Sequence, residues 1–314
     1  MKGIKKLLAA GLAGLLLTVS VGAEETTWEE IPNANIPAAV IQKEVAEAEG
    51  LQVALSLPVK SAILIDQNTG TVRYEMNADE KLPPASITKI MSLLLFMEAL
   101  DSGKIALTDT VTCSEAAAGF GGSQIWLKPG EEMTVDDLLK AVAVQSANDA
   151  TVCLAEYVAG SEEAFVQLMN QKAAELGMKN THFTNATGLT DTEHYSSAAD
   201  MAKLLQAALH NTTFRTIFTT EHYTTTATAQ HPEGVSLTST LLGKLDGTEL
   251  PTGTQIEGGK TGYTAAAGLC LASLATVNGK EYILVTLAAP GDHGTEQYNI
   301  RDAVHVYRKL ADKK

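Results

Sequence analysis

Pro83-Pro84-Ala85-Ser86-Ile87-Thr88-Lys89 is the stretch around which the chain is organised. Two prolines bar a helix upstream, and the run from Ile87 to Leu100 is apolar, free of proline and helical in character, so Ser86 is expected at a helix start. Lys89 follows three residues later, an offset that places two helical side chains on one face. A hydroxyl and an amine can then meet near the positive end of a helix, where backbone N–H groups lack partners. A serine nucleophile with a lysine base would use that geometry. Taken alone, the pattern also describes a serine helix cap beside a solvated lysine. The rest of the chain separates the two readings.

Upstream, residues 61–66 and 71–75 are apolar or alternating and flank Asn68-Thr69-Gly70, which predicts a β-hairpin. Downstream, to about residue 222, helical periodicity prevails, with helices expected at 134–144, 150–158, 161–176 and 197–210. The first of these opens on Thr134 with Asp136 and Asp137 in its first turn, where acids favour a helix start. Gln145-Ser146-Ala147-Asn148-Asp149 is the polar break before the second. Strand signals return at 268–277 and 282–289, joined through the tight turn Asn278-Gly279. Ile300, Ala303, Val304, Tyr307 and Leu310 then mark one face of a closing helix.

The expected order is therefore sheet, large helical insert, sheet and final helix. With no internal repeat or low-complexity linker, 51–314 reads as one catalytic unit, its sheet drawn from about 51–82 and 223–314 and its helical insert from about 83–222. The fold class is α/β in the α+β sense, an antiparallel sheet flanked by helices.

Residues 1–23 read as an export leader: Lys2, Lys5 and Lys6 precede the apolar run Leu7 to Leu17, and Val21-Gly22-Ala23 supplies small residues for cleavage. That run is shorter than the roughly 20 residues a spanning helix needs. Residues 24–50 form an acidic lead broken by Pro32 and Pro37, with a short helix expected at 38–49. The formal charge is −14, and loss of the lysine-bearing leader makes the remainder more acidic still. Such a surface repels nucleic acid and anionic membrane. Cys113, Cys153 and Cys270 are too few and scattered for a disulfide framework or a zinc site, and the seven histidines form no H-E-x-x-H, so no metal or other cofactor is expected. The cysteines read as small buried hydrophobes, with one disulfide left open.

Ahead of the late hairpin stands Gly258-Gly259-Lys260-Thr261-Gly262-Tyr263-Thr264. Glycines around one lysine and one hydroxyl let a ligand come close to the backbone, which suits an anionic group. It is not a P-loop, because Gln255 stands where the first glycine should be and a strand follows instead of a helix.

Ser86-Ile87-Thr88-Lys89, Ser146-Ala147-Asn148 and Lys260-Thr261-Gly262 together match the three-motif signature of penicillin-binding proteins and serine β-lactamases. Beyond the trio, Ala62-Ile63-Leu64-Ile65-Asp66, Ile90-Met91, Asp149-Ala150 and Thr181-His182-Phe183 extend the likeness over about residues 60–310. The chain resembles the low-molecular-mass D-alanyl-D-alanine carboxypeptidases of bacterial cell-wall metabolism. The resemblance implies a β-lactamase/transpeptidase-like fold and, position by position, Ser86 as acylated nucleophile, Lys89 as its base and Ser146 as proton relay. It likewise implies Asn148, Lys260, Thr261, Gly262 and Tyr263 as substrate-binding. Lys260 with Thr261 would hold a terminal carboxylate, and the backbone N–H groups of Ser86 and Tyr263 would face the oxyanion. Asn148 would hold Lys89 and the substrate amide through its side-chain carbonyl and NH₂. The Asn185 to Leu189 segment is expected as a wall of the cleft, and 245–257 as a loop beside it.

The implied partners are a peptidoglycan stem peptide ending in D-Ala-D-Ala and β-lactam antibiotics as covalent inhibitors. Many relatives add a C-terminal β-rich domain and an amphipathic anchor helix. Here the sequence runs only to Asp312-Lys313-Lys314 after the Tyr307 helix, so an exported enzyme, wall-associated, extracellular or periplasmic, without a strong membrane anchor is expected. A serine β-lactamase is the nearest rival, but the E-x-x-L-N pattern of class A enzymes is missing after Asn148, where Glu175 leads into Leu-Gly-Met-Lys. A D,D-endopeptidase and a β-lactam-sensing domain complete the alternatives.

Overall fold

The computed structural model describes residues 57–312. The expected leader, acidic lead and 38–49 helix lie outside the described residues. The chain enters through β1 (Ser61–Asp66) and β2 (Val72–Met76), a hairpin closed by the Asp66 side chain, whose Oδ1 accepts from the N–H groups of Asn68 and Thr69. A 3-10 turn at Ala85–Thr88 then leads into α1 (Lys89–Asp101). Beyond it come β3 (Thr110–Thr112), α2 (Glu115–Ala118), β4 (Glu132–Thr134), α3 (Val135–Val144), α4 (Asn148–Ala159), α5 (Glu162–Glu175), α6 (Ala198–Ala208) and α7 (Thr212–Phe218). The chain finishes with the short pair β5 (His222–Thr224) and β6 (Ser236–Thr238), a second 3-10 turn at Leu242–Lys244, the long strands β7 (Thr254–Thr264), β8 (Gly268–Val277) and β9 (Lys280–Ala289), and α8 (Tyr298–Ala311).

The five long strands form one antiparallel sheet in the order β2-β1-β9-β8-β7, so the first hairpin pairs with strands more than two hundred residues later. Side chains alternate between the two faces of a strand. Ala62, Leu64, Leu269, Leu271, Ala275 and Leu284 pack with Ile300, Ala303, Val304 and Tyr307 of α8. The intervening residues, such as Ile63, Ile65, Ile283 and Val285, are also buried, and α6 covers that face. Burial on both faces explains why these strands read as nearly continuous apolar runs. Tyr307, the largest fully buried side chain, meets Ser273 Oγ at 2.9 Å across the α8 interface.

The helical insert is built around α1, whose residues Lys89 to Met97 are all buried. A helix apolar on every side belongs in a core, and α3, α4, α5, α6 and α7 all pack against it. Side-chain caps start the surrounding helices where the sequence placed them: Thr134, Ser161 and Ser197 each accept from an N–H three residues on. Among the described residues no helix is long and apolar enough to cross a membrane.

Several local expectations are corrected. Ser86 does not cap an α-helix but lies inside the 3-10 turn, and the α-helical segment starts at Lys89. The helical insert also carries the two-stranded sheet β3-β4, with strands of three residues that are too short to announce a period of two. The loop expected at 245–257 stops at Gly253, because β7 extends back to Thr254 and pairs there with Val277.

Candidate active site

Three elements bring the site together: the 3-10 turn, the break between α3 and α4, and the exposed edge of β7. The first two contain strained backbone. Ala85 and Ser146 have φ values of +50° and +63°, in the left-handed region that non-glycine residues avoid. Such conformations persist where the surrounding structure fixes them, and they cluster at functional sites. Here each turns a serine toward the same cavity.

Gly262 brings β7 against the 3-10 turn. A Cβ at this position would lie 2.8 Å from Ser86 N and 3.0 Å from Ala85 Cβ, so any side chain would force the strand away. Gly258 and Gly259 have a different use from the one expected. A Cβ would come within 2.6 Å of Phe218 O at the first and 2.4 Å of Leu241 Cδ2 at the second, so these glycines admit the protein's own chain rather than a ligand.

Lys89 is fully buried at the foot of the cavity. Its Nζ lies 3.0 Å from Ser86 Oγ and donates to Thr187 O at 2.7 Å. Burial, and secondly the nearby Lys260, hold its amine well below the ordinary lysine range, while Asp149 opposes them. Lys260 is likewise fully buried, and burial lowers it to about 7. It donates to Ser146 Oγ at 2.7 Å and to Thr261 O at 3.0 Å. Two ammonium groups in one low-dielectric site would each carry a desolvation cost of several kcal/mol. Near neutral pH the favoured state therefore keeps Lys89 uncharged.

Asn148 differs from expectation. Its Nδ2 donates to Gly121 O at 2.6 Å rather than to a group on Lys89. Its Oδ1 is buried and has no hydrogen-bond partner among the described residues. A buried acceptor left open calls for a ligand donor or water. The segment from Asn185 to Leu189 backs the site: besides Thr187 O on Lys89, Ala186 O accepts from Ser92 Oγ at 2.7 Å. Thr88 and His194 extend this support, with Thr88 Oγ1 2.9 Å from Nε2 and the N–H of Thr184 donating to Nδ1.

The resulting cavity, about 130 Å³, is lined by Ser86, Ser146, Thr261, Gly262 and Tyr263 as the motifs suggested, and also by Ser123, Thr240, Lys244 and His293. The latter four were not legible as site residues. Thr240 Oγ1 accepts from Thr261 Oγ1 at 2.7 Å, Lys244 donates to Gln297 Oε1 at 2.9 Å, and the His293 ring meets Tyr263 edge-on at 4.7 Å. So small a chamber with hydroxyls and a strand edge suits the end of a peptide with small side chains better than a bulky ligand. Cys113, Cys153 and Cys270 are all free and buried; none of them lines the cavity, though Cys270 adjoins it, following Leu269 of the lining and pairing across the sheet with Gly262.

The family model described as D-alanyl-D-alanine carboxypeptidase matches residues 46–291. The chain is 47% identical over 236 residues to the D-alanyl-D-alanine carboxypeptidase DacF of Bacillus subtilis, covering 75% of this chain and 58% of that protein. It is 40% identical to DacC of Escherichia coli, also a D-alanyl-D-alanine carboxypeptidase, over 78% of this chain and 60% of the relative. The chain thus spans about six tenths of the length of these curated relatives. Among solved structures, the D-alanyl-D-alanine carboxypeptidase DacD of Francisella tularensis superposes with a TM-score of 0.72 at 28% identity, covering 86% of this chain and 74% of that one. With the strained serine turns, the paired buried lysines and the glycine-flanked strand edge in one cavity, and a family match over most of its length, the chain belongs to the D-alanyl-D-alanine carboxypeptidase family.

Proposed function

We propose that this protein removes the terminal D-alanine from peptidoglycan stem peptides through an acyl-enzyme on Ser86, and that β-lactams inhibit it by forming a stable ester there. The observation that carries the reading is the 3.0 Å contact between Ser86 Oγ and an amine that burial keeps neutral. A neutral Lys89 can accept the Ser86 proton as Oγ attacks the carbonyl carbon of the penultimate D-alanine. The backbone N–H groups of Ser86 and Tyr263 receive the developing oxyanion, and loss of one such donor typically costs about 10²–10³ in rate.

Collapse of the tetrahedral intermediate breaks the C–N bond, and the leaving amine takes, through Ser146, the proton that Lys89 accepted, which returns Lys89 to its neutral form. Lys260, held near neutrality and bonded to Ser146 Oγ, supports that relay from below. The open Oδ1 of Asn148 accepts the substrate amide N–H. Thr261 and Lys260 receive the free carboxylate, assisted by Lys244 at the cavity mouth, so a free C-terminus is preferred. After D-alanine departs, water attacks the ester and gives its proton to Lys89, and Ser86 leaves reprotonated. One water is consumed per bond cleaved.

In this reading residues 51–314 act as one catalytic domain and 1–23 direct export, to an extracellular, cell-wall-associated or periplasmic location. The test is incubation with diacetyl-lysyl-D-alanyl-D-alanine. Free D-alanine should appear with the parent chain and not with Ser86→Ala, and intact-mass measurement should show a penicilloyl adduct on Ser86 that persists. Rapid penicillin turnover without D-alanine release would make it a β-lactamase instead.

A further inference from the structure

One feature beside the cavity is not used by this chemistry. Trp126 lies 66% exposed in the segment between α2 and β4, flanked by Ile125 and Leu127, which are both buried. Its φ of +65° is a conformation that a bulky residue adopts only under constraint. The constraint is visible. Asp149, fully buried in the first turn of α4, accepts from Ile125 N at 3.2 Å and from Leu127 N at 3.1 Å, gripping the backbone on either side of the tryptophan. One carboxylate therefore holds two apolar anchors in and one indole out.

The same segment belongs to the rim of the site. Ser123 lines the cavity, its carbonyl accepts from Asn148 N at 2.7 Å, and Gly121 O holds the Asn148 amide. Three residues span at most about 11 Å of extended chain, so Trp126 stands within that reach of a cavity-lining residue. A single exposed apolar side chain is ordinary on a protein surface. A tryptophan held outward in strained backbone by a buried acid, at the edge of an active site, is a preorganised flat surface.

We infer that Trp126 is a stacking platform for an amino-sugar ring of the glycan strand that carries the stem peptide. The inference rests on the carboxypeptidase reading above, which supplies the substrate class. Four peptide residues between a scissile bond and the sugar extend at most about 13–14 Å, long enough to bridge a cavity and a platform that stands within about 11 Å of its lining. The apolar C–H face of a pyranose fits an indole face, and the flanking Ser123, Gln124 and Lys128 offer polar groups for its hydroxyls. The platform makes the enzyme prefer glycan-linked peptides over free ones.

The test compares two substrates with the full chain: a D-Ala-D-Ala-terminated stem peptide, and the same peptide attached to an N-acetylated muramyl disaccharide. Trp126→Ala should lower kcat/KM for the disaccharide substrate by roughly three- to tenfold and leave that for the bare peptide within about twofold, while Trp126→Phe retains most of the preference. The sequence holds two tryptophans, so in a Trp28→Phe, Ser86→Ala background the remaining indole emission should change on adding the saccharide-peptide and not the bare peptide. Equal loss on both substrates, or no loss on either, overturns the platform. If the parent chain cleaves neither substrate, the carboxypeptidase reading falls, and the fluorescence titration still decides whether the sugar binds.

Discussion

Lys89 Nζ and Ser86 Oγ are 3.0 Å apart, with the amine wholly shielded from water and its other contact spent on Thr187 O. In the proposed reaction this amine can act as a base only while it is uncharged, which distinguishes it from a salt-bridged surface lysine. Lys89→Met should slow β-lactam acylation by about 10²–10⁴ while the melting temperature stays close to that of the parent, since an apolar chain of similar length replaces a neutral one. The Thr187 carbonyl loses its donor, at a cost of about 1 kcal/mol. Lys89→Arg should be equally inactive, because a guanidinium does not deprotonate. Timed intact-mass measurement of the adduct checks both, and an active arginine variant would remove Lys89 from the role of base.

The second lysine, after burial, is expected to shift the pH range of the proposed base. Lys260 is among the causes that lower Lys89, so its charge disfavours protonation of its neighbour. Removing it as Lys260→Met should raise the Lys89 pKa and move the acidic limb of the acylation rate to higher pH, in addition to any loss of overall rate. The measurement is the second-order rate constant with penicillin from pH 5 to 10. An acidic limb that stays in place, or moves to lower pH, contradicts the coupling.

How much of this was legible before the fold was known depends on where each residue sits. Ser86, Lys89, Ser146 and Lys260 stand in short motifs next to strong periodic segments, and the structure gathers all four at one cavity and its base. β1, β8, β9 and α8 were readable because apolar side chains fill their core-facing positions, whereas the glycine-rich β7 carries no such run. Thr240, Lys244, Ser123 and His293 come from loops that share no period and meet the motifs only through tertiary contact. Nothing local in Asn148 reveals that Gly121, 27 residues earlier, takes its amide. The glycines of 258–259 were misread because a glycine that admits a ligand and one that admits Leu241 or the Phe218 carbonyl look the same in sequence.

Gly262 is a close joint between the strand and the turn that carries Ser86. Gly262→Ala would set a methyl 2.8 Å from Ser86 N, against backbone that cannot yield without moving the nucleophile. The expected outcome is an acylation rate lower by at least about 10², as one oxyanion donor swings out of line, and a stability loss of about 1–3 kcal/mol from overpacking. Kinetics and urea unfolding on the same sample separate the two effects. A variant that folds like the parent and acylates at the parent rate would show that the strand and the turn need not touch.

Near the turn that carries Ser86, His194 is buried and held at Thr88 and Thr184, and burial pushes its imidazole down to about 4 from the usual 6.5. The unfolded chain therefore binds a proton between these values while the folded chain does not. Stability from this group is complete above about pH 6.5 and is lost progressively as the pH falls toward 4. At about 1.36 kcal/mol per unit the full loss is about 3 kcal/mol. His194→Gln keeps a polar side chain but cannot titrate, so its stability should change less than the parent's between pH 7 and pH 4.5. The difference between the two urea midpoints, followed across that range, isolates the histidine from the many surface carboxylates common to both proteins. Parallel curves for parent and variant would mean that the imidazole protonates without opening the site.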